Sequence, residues 1–315
     1  MPFAPIALFA YNRPEHLSKT LQALKACLLA SDSELYLFID GPRGGADRSR
    51  VDQVRAVAHA ISGFTRVQVQ ERQENHGLSR SIIAGVTALA ERHGRVIVLE
   101  DDIVVARGFL LFMNQALSRF AEEPRVMQVS GYMFPITNAG AMGSTVLSRV
   151  PASWGWGTWD RAWRHFERDS GRLLASLQDK ETQYEFDLEG AYPYYAQLKM
   201  QVSGQLDVWG VRWYASMFAN KGLCLYPAES LVQNIGMDGS GVHCGMSHAF
   251  DVHLSRHEAW EFPDRIEESR EALTQIQEFL GRRGTSQNDG KVQAAREETW
   301  TRVGLLKRLA NTRFK

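Results

Sequence analysis

Cysteine is scarce in this chain: three in 315 residues, Cys27, Cys224 and Cys244. Their spacing is that of neither a disulfide framework nor a zinc site, and a sparse, odd set fits a reducing compartment. Long apolar runs are lacking too, so no segment has the roughly 20 residues of a membrane span. The N-terminus does not show the charged-then-apolar layout of a signal peptide. Neither sign of charge is in excess, since 36 Lys and Arg balance 36 Asp and Glu. Nothing global attracts a polyanion, so no nucleic-acid partner is expected. Together these absences point to a cytoplasmic protein. Its composition is 44% apolar and 23% charged, and its length suits one large α/β domain or two modest ones.

The most informative stretch that is present runs from Arg95 to Ile103. Val96-Ile97-Val98-Leu99 leads straight into Glu100-Asp101-Asp102. A short, continuous, β-branched run reads as a strand buried on both faces, as in a parallel α/β sheet. Ligands of such sheets bind in the crevice at the carboxyl ends of the strands. Three adjacent acids repel one another, so a folded protein keeps them only beside a compensating cation. Hard oxygen ligands suit Mg²⁺ or Mn²⁺, shared between one or two carboxylates and a substrate's phosphates. The competing reading is a solvated acidic turn after a core strand.

Strand and helix alternate around this run. Strands are expected at 5–10, 35–39, 65–70, 96–99 and 126–130. Helices are expected at 15–29, 52–61, 78–93 and 109–120. That order implies βαβ units and a mostly parallel, Rossmann-like sheet. After Pro151 the pattern changes: six of the eight tryptophans lie between Trp154 and Trp213. A strand-like Leu223 to Tyr226 follows, then a glycine-rich loop, then a polar tail from Glu261. The expected division is a first half at 1–150, a second at 151–260, and a polar linker with a basic helix at 261–315.

Chain order puts Asn12-Arg13, Asp40 and Glu100-Asp101-Asp102 at strand ends along one sheet edge. Arg13 offers a fork of donors to phosphate or to a base carbonyl. Asp40 suits a nucleobase imide or a ribose hydroxyl, although Asp-Gly is also a common turn. Asn75-His76-Gly77 reads as a helix start whose N-terminus, with Arg80, favours an anion.

With these residues in place, the chain resembles a nucleotide-sugar glycosyltransferase of the GT-A fold, nearest to the N-acetylglucosaminyltransferase I-like group. Phe9-Ala10-Tyr11-Asn12-Arg13-Pro14 is similar to that family's first nucleotide contact, and Leu99-Glu100-Asp101-Asp102 to its acidic metal motif. Ser153-Trp154-Gly155-Trp156-Gly157 resembles its acceptor-side turn. Leu206-Asp207-Val208-Trp209 falls where the family carries its catalytic aspartate. Pro227-Ala228-Glu229-Ser230 and Gly239 to His243 resemble its late strand and ordered loop.

The resemblance implies roles residue by residue. Asp102 holds Mn²⁺ or Mg²⁺, Asp101 and Glu100 face the ribose and the transferred sugar, and Arg13, Asp40 and Arg80 hold base and phosphates. Asp207 is the general base of a single inverting displacement, where its other reading is a helix N-cap. His243 is either a second metal ligand or a surface histidine. Trp154, Trp156 and Trp209 line an acceptor groove or pack in the core. The implied partners are a nucleotide diphosphate sugar, UDP-linked in the family, and a glycan or lipid-linked acceptor. The chain lacks the anchor and stem of the eukaryotic relatives, which points to a bacterial type working on polysaccharide precursors. A nucleotidyltransferase and a non-catalytic glycan-binding protein are the alternatives. The loop 234–245, with four glycines, is expected to close over the donor. Residues 302–315 carry five cations and no acid. They read as a basic amphipathic helix suited to peripheral contact with an anionic membrane, or as a solvated end.

Overall fold

The computed structural model describes residues 2–137, 142–240 and 247–283. His243, Cys244, the basic segment 302–315 and most of the linker 281–290 lie outside the described residues.

The first half alternates as its apolar pattern implies. β1 (Ile6–Ala10), α1 (Pro14–Lys25), β2 (Glu34–Ile39), α2 (Gly45–Ala60), β3 (Arg66–Glu71), α3 (Leu78–His93) and β4 (Arg95–Glu100) follow in order. Next come β5 (Ile103–Val105), α4 (Phe109–Arg119), β6 (Val126–Ser130) and β7 (Thr145–Ser148). The aromatic segment then forms β8 (Trp156–Trp159) and the helices α5 (Asp160–Trp163), α6 (Ser170–Ser176), α7 (Lys180–Phe186), α8 (Tyr194–Val202) and α9 (Trp209–Ala219). β9 (Leu223–Pro227), β10 (Val232–Asn234) and α10 (Arg270–Arg283) complete the described chain.

Eight strands make one sheet in the order β3-β2-β1-β4-β8-β6-β9-β7. β1, β2, β3, β4, β6 and β9 point one way, and β8 and β7 run against them. The fold is therefore α/β with a mostly parallel sheet, unbroken across residue 150. β10 pairs antiparallel with β5 in a separate ribbon. Right-handed crossovers place α1 and α2 on one face and α3, whose connection runs the other way, on the opposite face. β1 is buried throughout, and β4 is buried up to the half-buried Glu100. That is why both read as continuous apolar runs.

β8 is buried on both faces. A Cβ on Gly157 would lie 2.9 Å from Met113 of α4, whereas the Trp156 ring stacks on Trp209 of α9 at 5.0 Å. Trp163 and Trp213 extend the cluster. Two of its indoles are hydrogen-bonded: Trp163 Nε1 donates to Thr87 Oγ1 at 2.9 Å and Trp213 Nε1 to Gln128 Oε1 at 2.6 Å. Among the described residues no helix is long and apolar enough to cross a membrane.

Candidate active site

The chain lays β2 and β3 to one side of β1 and β4 to the other. The crevice between the carboxyl ends of β1 and β4 is thus the point where strand order reverses, the usual ligand site of such sheets. Arg13 enters it from the turn after β1, and Asp101 and Asp102 from the turn after β4. One nitrogen, Nη2 of Arg13, donates to Asp101 Oδ1 and, at 2.8 Å, to Asp102 Oδ2. Asp101 also accepts from the Tyr11 backbone N–H at 3.3 Å, and its carbonyl takes the Thr20 hydroxyl at 2.8 Å. The compensating cation demanded by the acid run is therefore present within the chain.

The second oxygen of Asp102, Oδ1, is buried with no partner. Burial, then the charges of Asp102 and Asp101, push the Glu100 carboxyl up to about 8. Burial also raises Asp101, to about 6, against the pull of Arg13. For Arg13, burial works against the charged form, but attraction to Asp101 and Asp102 outweighs it and lifts the pKa above the ordinary arginine value.

The end of β10 closes over this cluster. The Ile235 N–H donates to the Asp102 carbonyl at 2.9 Å, and the Gly236 N–H to Asn234 Oδ1 at 2.7 Å. Gly236 fits only because it has no side chain: a Cβ there would lie 2.0 Å from Asp102 Oδ2 and 2.8 Å from Arg13 Nη1. Further along, Asp238 Oδ2 reaches His16 Nε2 on α1 at 3.1 Å. Hydrogen bonds from Ser240 hold the Asp238 carboxyl down to about 2. Ile235 and Gly236 of the expected closing loop thus already rest on Asp102, and 241–246 lie outside the described residues.

Asp40 is 7% exposed and borders a cavity of about 370 Å³ with Phe38, Arg72 and Ser81. Its Oδ1 accepts from the N–H groups of Gly41 and His76 and its Oδ2 from that of Gly77, at 3.0, 2.9 and 2.8 Å. It thereby anchors the turn that starts α3. Arg80 is exposed on the first turn of α3 and has no partner among the described residues.

Asp207 is 66% exposed and pairs with Arg212, whose Nη2 lies 3.1 Å from Oδ1. The N-cap reading is wrong: Val208 occupies the cap position of α9, and no side chain caps it. Arg212 also donates to Ser79 Oγ at 2.5 Å. Asp207 is thereby held beside the same α3 turn that Asp40 anchors.

The tryptophan assignments need correction. Trp156 and Trp209, 1% and 5% exposed, stack on each other and present no ring face to a sugar. Trp154 is half-buried, edge-on to Tyr132 at 4.7 Å and Phe250 at 5.1 Å. The open cleft on this side, about 680 Å³, lies instead at the ends of β6 and β9 among Phe134, Glu229, His253 and His257.

Arg212, Gly236 and His16 were missed by sequence reasoning. Arg212 carried a faint signal, lying about one turn along a helix from a candidate acid. His16 carried none. His243 lies outside the described residues, and among the described residues no three His, Cys, Asp or Glu side chains form a metal cage. A caged structural ion therefore does not fit here. A cation shared between Asp102, with its unpartnered buried oxygen, and a ligand's phosphates does.

No protein-family model matches the chain, and no curated protein matches it in sequence. Among solved structures it is similar to the mannosyltransferase PcManGT from Pyrobaculum calidifontis in complex with GDP-Man and Mn²⁺, at TM-score 0.38 and 10% identity over 69% of this chain and 75% of that one. It is also similar to the galactosyltransferase LgtC in complex with donor and acceptor sugar analogues, at TM-score 0.38 and 9% identity over 70% and 72%. S. aureus TarS follows at TM-score 0.34 and 13% identity over 57% and 53%. These likenesses are partial in superposition and distant in sequence, so the functional reading rests on the residues of this chain.

Proposed function

We propose that the chain is a glycosyltransferase that moves a sugar from a nucleotide diphosphate donor, UDP-linked by family resemblance, to a hydroxyl of a glycan or glycolipid. The observation that carries this is the acid cluster at the β1/β4 crevice: two buried carboxylates share Arg13, and one of them keeps an unused oxygen. One arginine meets two carboxylates there, so the cluster keeps an excess of negative charge that a cationic ligand complex would use. Asp102 would hold Mn²⁺ or Mg²⁺, which when bound stabilises charge on the leaving diphosphate. Arg13 and Arg80 lie on the same edge and supply positive charge toward phosphates. Glu100, at the end of β4, would face the ribose or the transferred sugar.

Asp207 is the proposed general base. As the acceptor oxygen bonds to the anomeric carbon and the bond to the diphosphate breaks, Asp207 takes the acceptor's proton and the configuration inverts. Its exposure gives an acceptor access, and Arg212 fixes its place beside α3. The test is a panel of nucleotide sugars, assayed for donor hydrolysis and for transfer to simple glycosides with and without Mn²⁺. Release of nucleoside diphosphate from one donor class in the presence of metal is expected. Release from none, with no nucleoside diphosphate bound in titration calorimetry, overturns the reading.

A further inference from the structure

We infer that Arg13 is the resident counter-cation of the acid cluster and that it competes with a divalent cation for Asp101 and Asp102. The inference rests on the proposed metal-dependent reading and extends it to the state of the site before donor arrives. Arg13 comes from the strand next to the acids, and its guanidinium has no acceptor among the described residues other than these two carboxylates. A single nitrogen serves both acids. The remaining donors of a five-donor fork are left over, and Asp102 Oδ1 is left without any donor. Each side of the contact is thus under-satisfied by the other.

That imbalance has a physical consequence. A residue built only to stabilise the fold would pair in the two-nitrogen, two-oxygen geometry that makes arginine–carboxylate contacts strong. Here one positive charge is spread over two carboxylates, with Glu100 half-buried behind them. A divalent cation brings twice the charge and prefers several oxygen ligands, so it suits these acids better than Arg13 does. Arg13, when displaced, is a planar donor fork at the mouth of the β1/β4 crevice, suited to a diphosphate. Gly236, where a Cβ would meet both Asp102 and Arg13, leaves just the room that the pair occupies. The exchange therefore links metal uptake, phosphate capture and the placement of the β10 loop.

The test is Mn²⁺ binding, read by the loss of free-ion paramagnetic resonance signal, in the wild type, Arg13→Met, Arg13→Lys and Asp102→Asn. Each is titrated with Mn²⁺ alone and with Mn²⁺ plus UDP. Arg13→Met is expected to bind Mn²⁺ alone roughly tenfold or more tightly than wild type, as removal of a competing adjacent charge requires. It should also lose UDP affinity in Mn²⁺. Arg13→Lys retains the charge and keeps the test open should Arg13→Met fail to fold. Its weaker hold on two acids should leave Mn²⁺ affinity above wild type. Mn²⁺ affinity at or below wild type in the folded Arg13 variants, with UDP-dependent Mn²⁺ uptake intact in wild type, overturns the exchange alone. No Mn²⁺ uptake in any arm overturns the exchange together with the metal reading beneath it.

Discussion

Gly236 stands against Asp102 so closely that a methyl group in its place would lie 2.0 Å from Oδ2. Gly236→Ala must therefore shift either the carboxylate or the β10 loop. Overpacking of this kind costs typically about 1–3 kcal/mol. The expected outcome is a folded protein with weakened UDP binding in Mn²⁺, measured by titration calorimetry. Unchanged binding would show that the loop leaves the acids freely and that Asp102 tolerates a neighbour there.

Asp102→Asn keeps the size of the side chain and removes its charge. Nucleoside diphosphate binding should then lose its dependence on Mn²⁺, while the melting temperature stays close to wild type because Arg13 retains Asp101. Equal UDP affinity in both proteins in excess Mn²⁺ would remove Asp102 from the metal role.

Asp207→Asn separates chemistry from binding. UDP affinity should change little, because Asp207 is paired with Arg212 and makes no contact with Arg13, Asp101 or Asp102. Turnover should fall by roughly 10²-fold or more, the usual contribution of a general base. Arg212→Met should reduce kcat in the same direction with little effect on donor KM, since it frees Asp207 from Ser79's turn. Normal turnover in Asp207→Asn would pass the role to another carboxylate.

Glu100 makes a prediction about pH. Its pKa in the folded chain is about 8 against an ordinary 4.5, so the native state holds a proton that the unfolded state releases in that window. The stability this proton represents is complete below about pH 4.5 and is lost as pH rises toward 8. Urea unfolding of the metal-free protein should show that decline, and Glu100→Gln should flatten it. A slope identical in the two proteins would mean that Glu100 titrates normally.

Trp156→Ala tests the correction to the aromatic segment. Removing a fully buried indole should cost about 3–5 kcal/mol of stability. In protein that remains folded at low temperature, UDP affinity should stay near wild type. A variant with normal stability and impaired acceptor use would restore Trp156 to the acceptor groove.

Much of the architecture was legible from residue pattern. Helix 78–93 and strand 126–130 coincide with α3 and β6 because each has a clean apolar period and a clear boundary. The start of α2 was not legible. Breaker residues at Gly44 and Gly45 argue against a helix, yet it begins at Gly45, where the Tyr11 hydroxyl binds Asp47 Oδ2 at 2.6 Å. That contact spans two elements and leaves no local trace. Ser153 to Gly157 was read as an acceptor-side turn on the family resemblance, whereas Trp156 opens β8 and Gly157 is there to admit α4. At the site, the acids themselves were visible, but their pairing with Arg13 depends on β1 and β4 being neighbours in the sheet. The anchoring role of Asp40 was hidden for a similar reason: two of its three partners are backbone N–H groups of a turn well downstream in the chain, and sequence shows residue types rather than who consumes their hydrogen bonds.

The position of β8 also bears on how the protein is made. Arg95 pairs with Trp159 across β4 and β8, so the strand that carries the acids has no partner on that side until the aromatic segment has been synthesised. A ribosome that has released only the first 150 residues presents a bare strand edge, apolar from Val96 to Leu99, the kind that recruits other chains. Maturation of the acid crevice therefore waits on translation of the tryptophan-rich half. Splitting the gene at that point would yield an N-terminal fragment prone to aggregate.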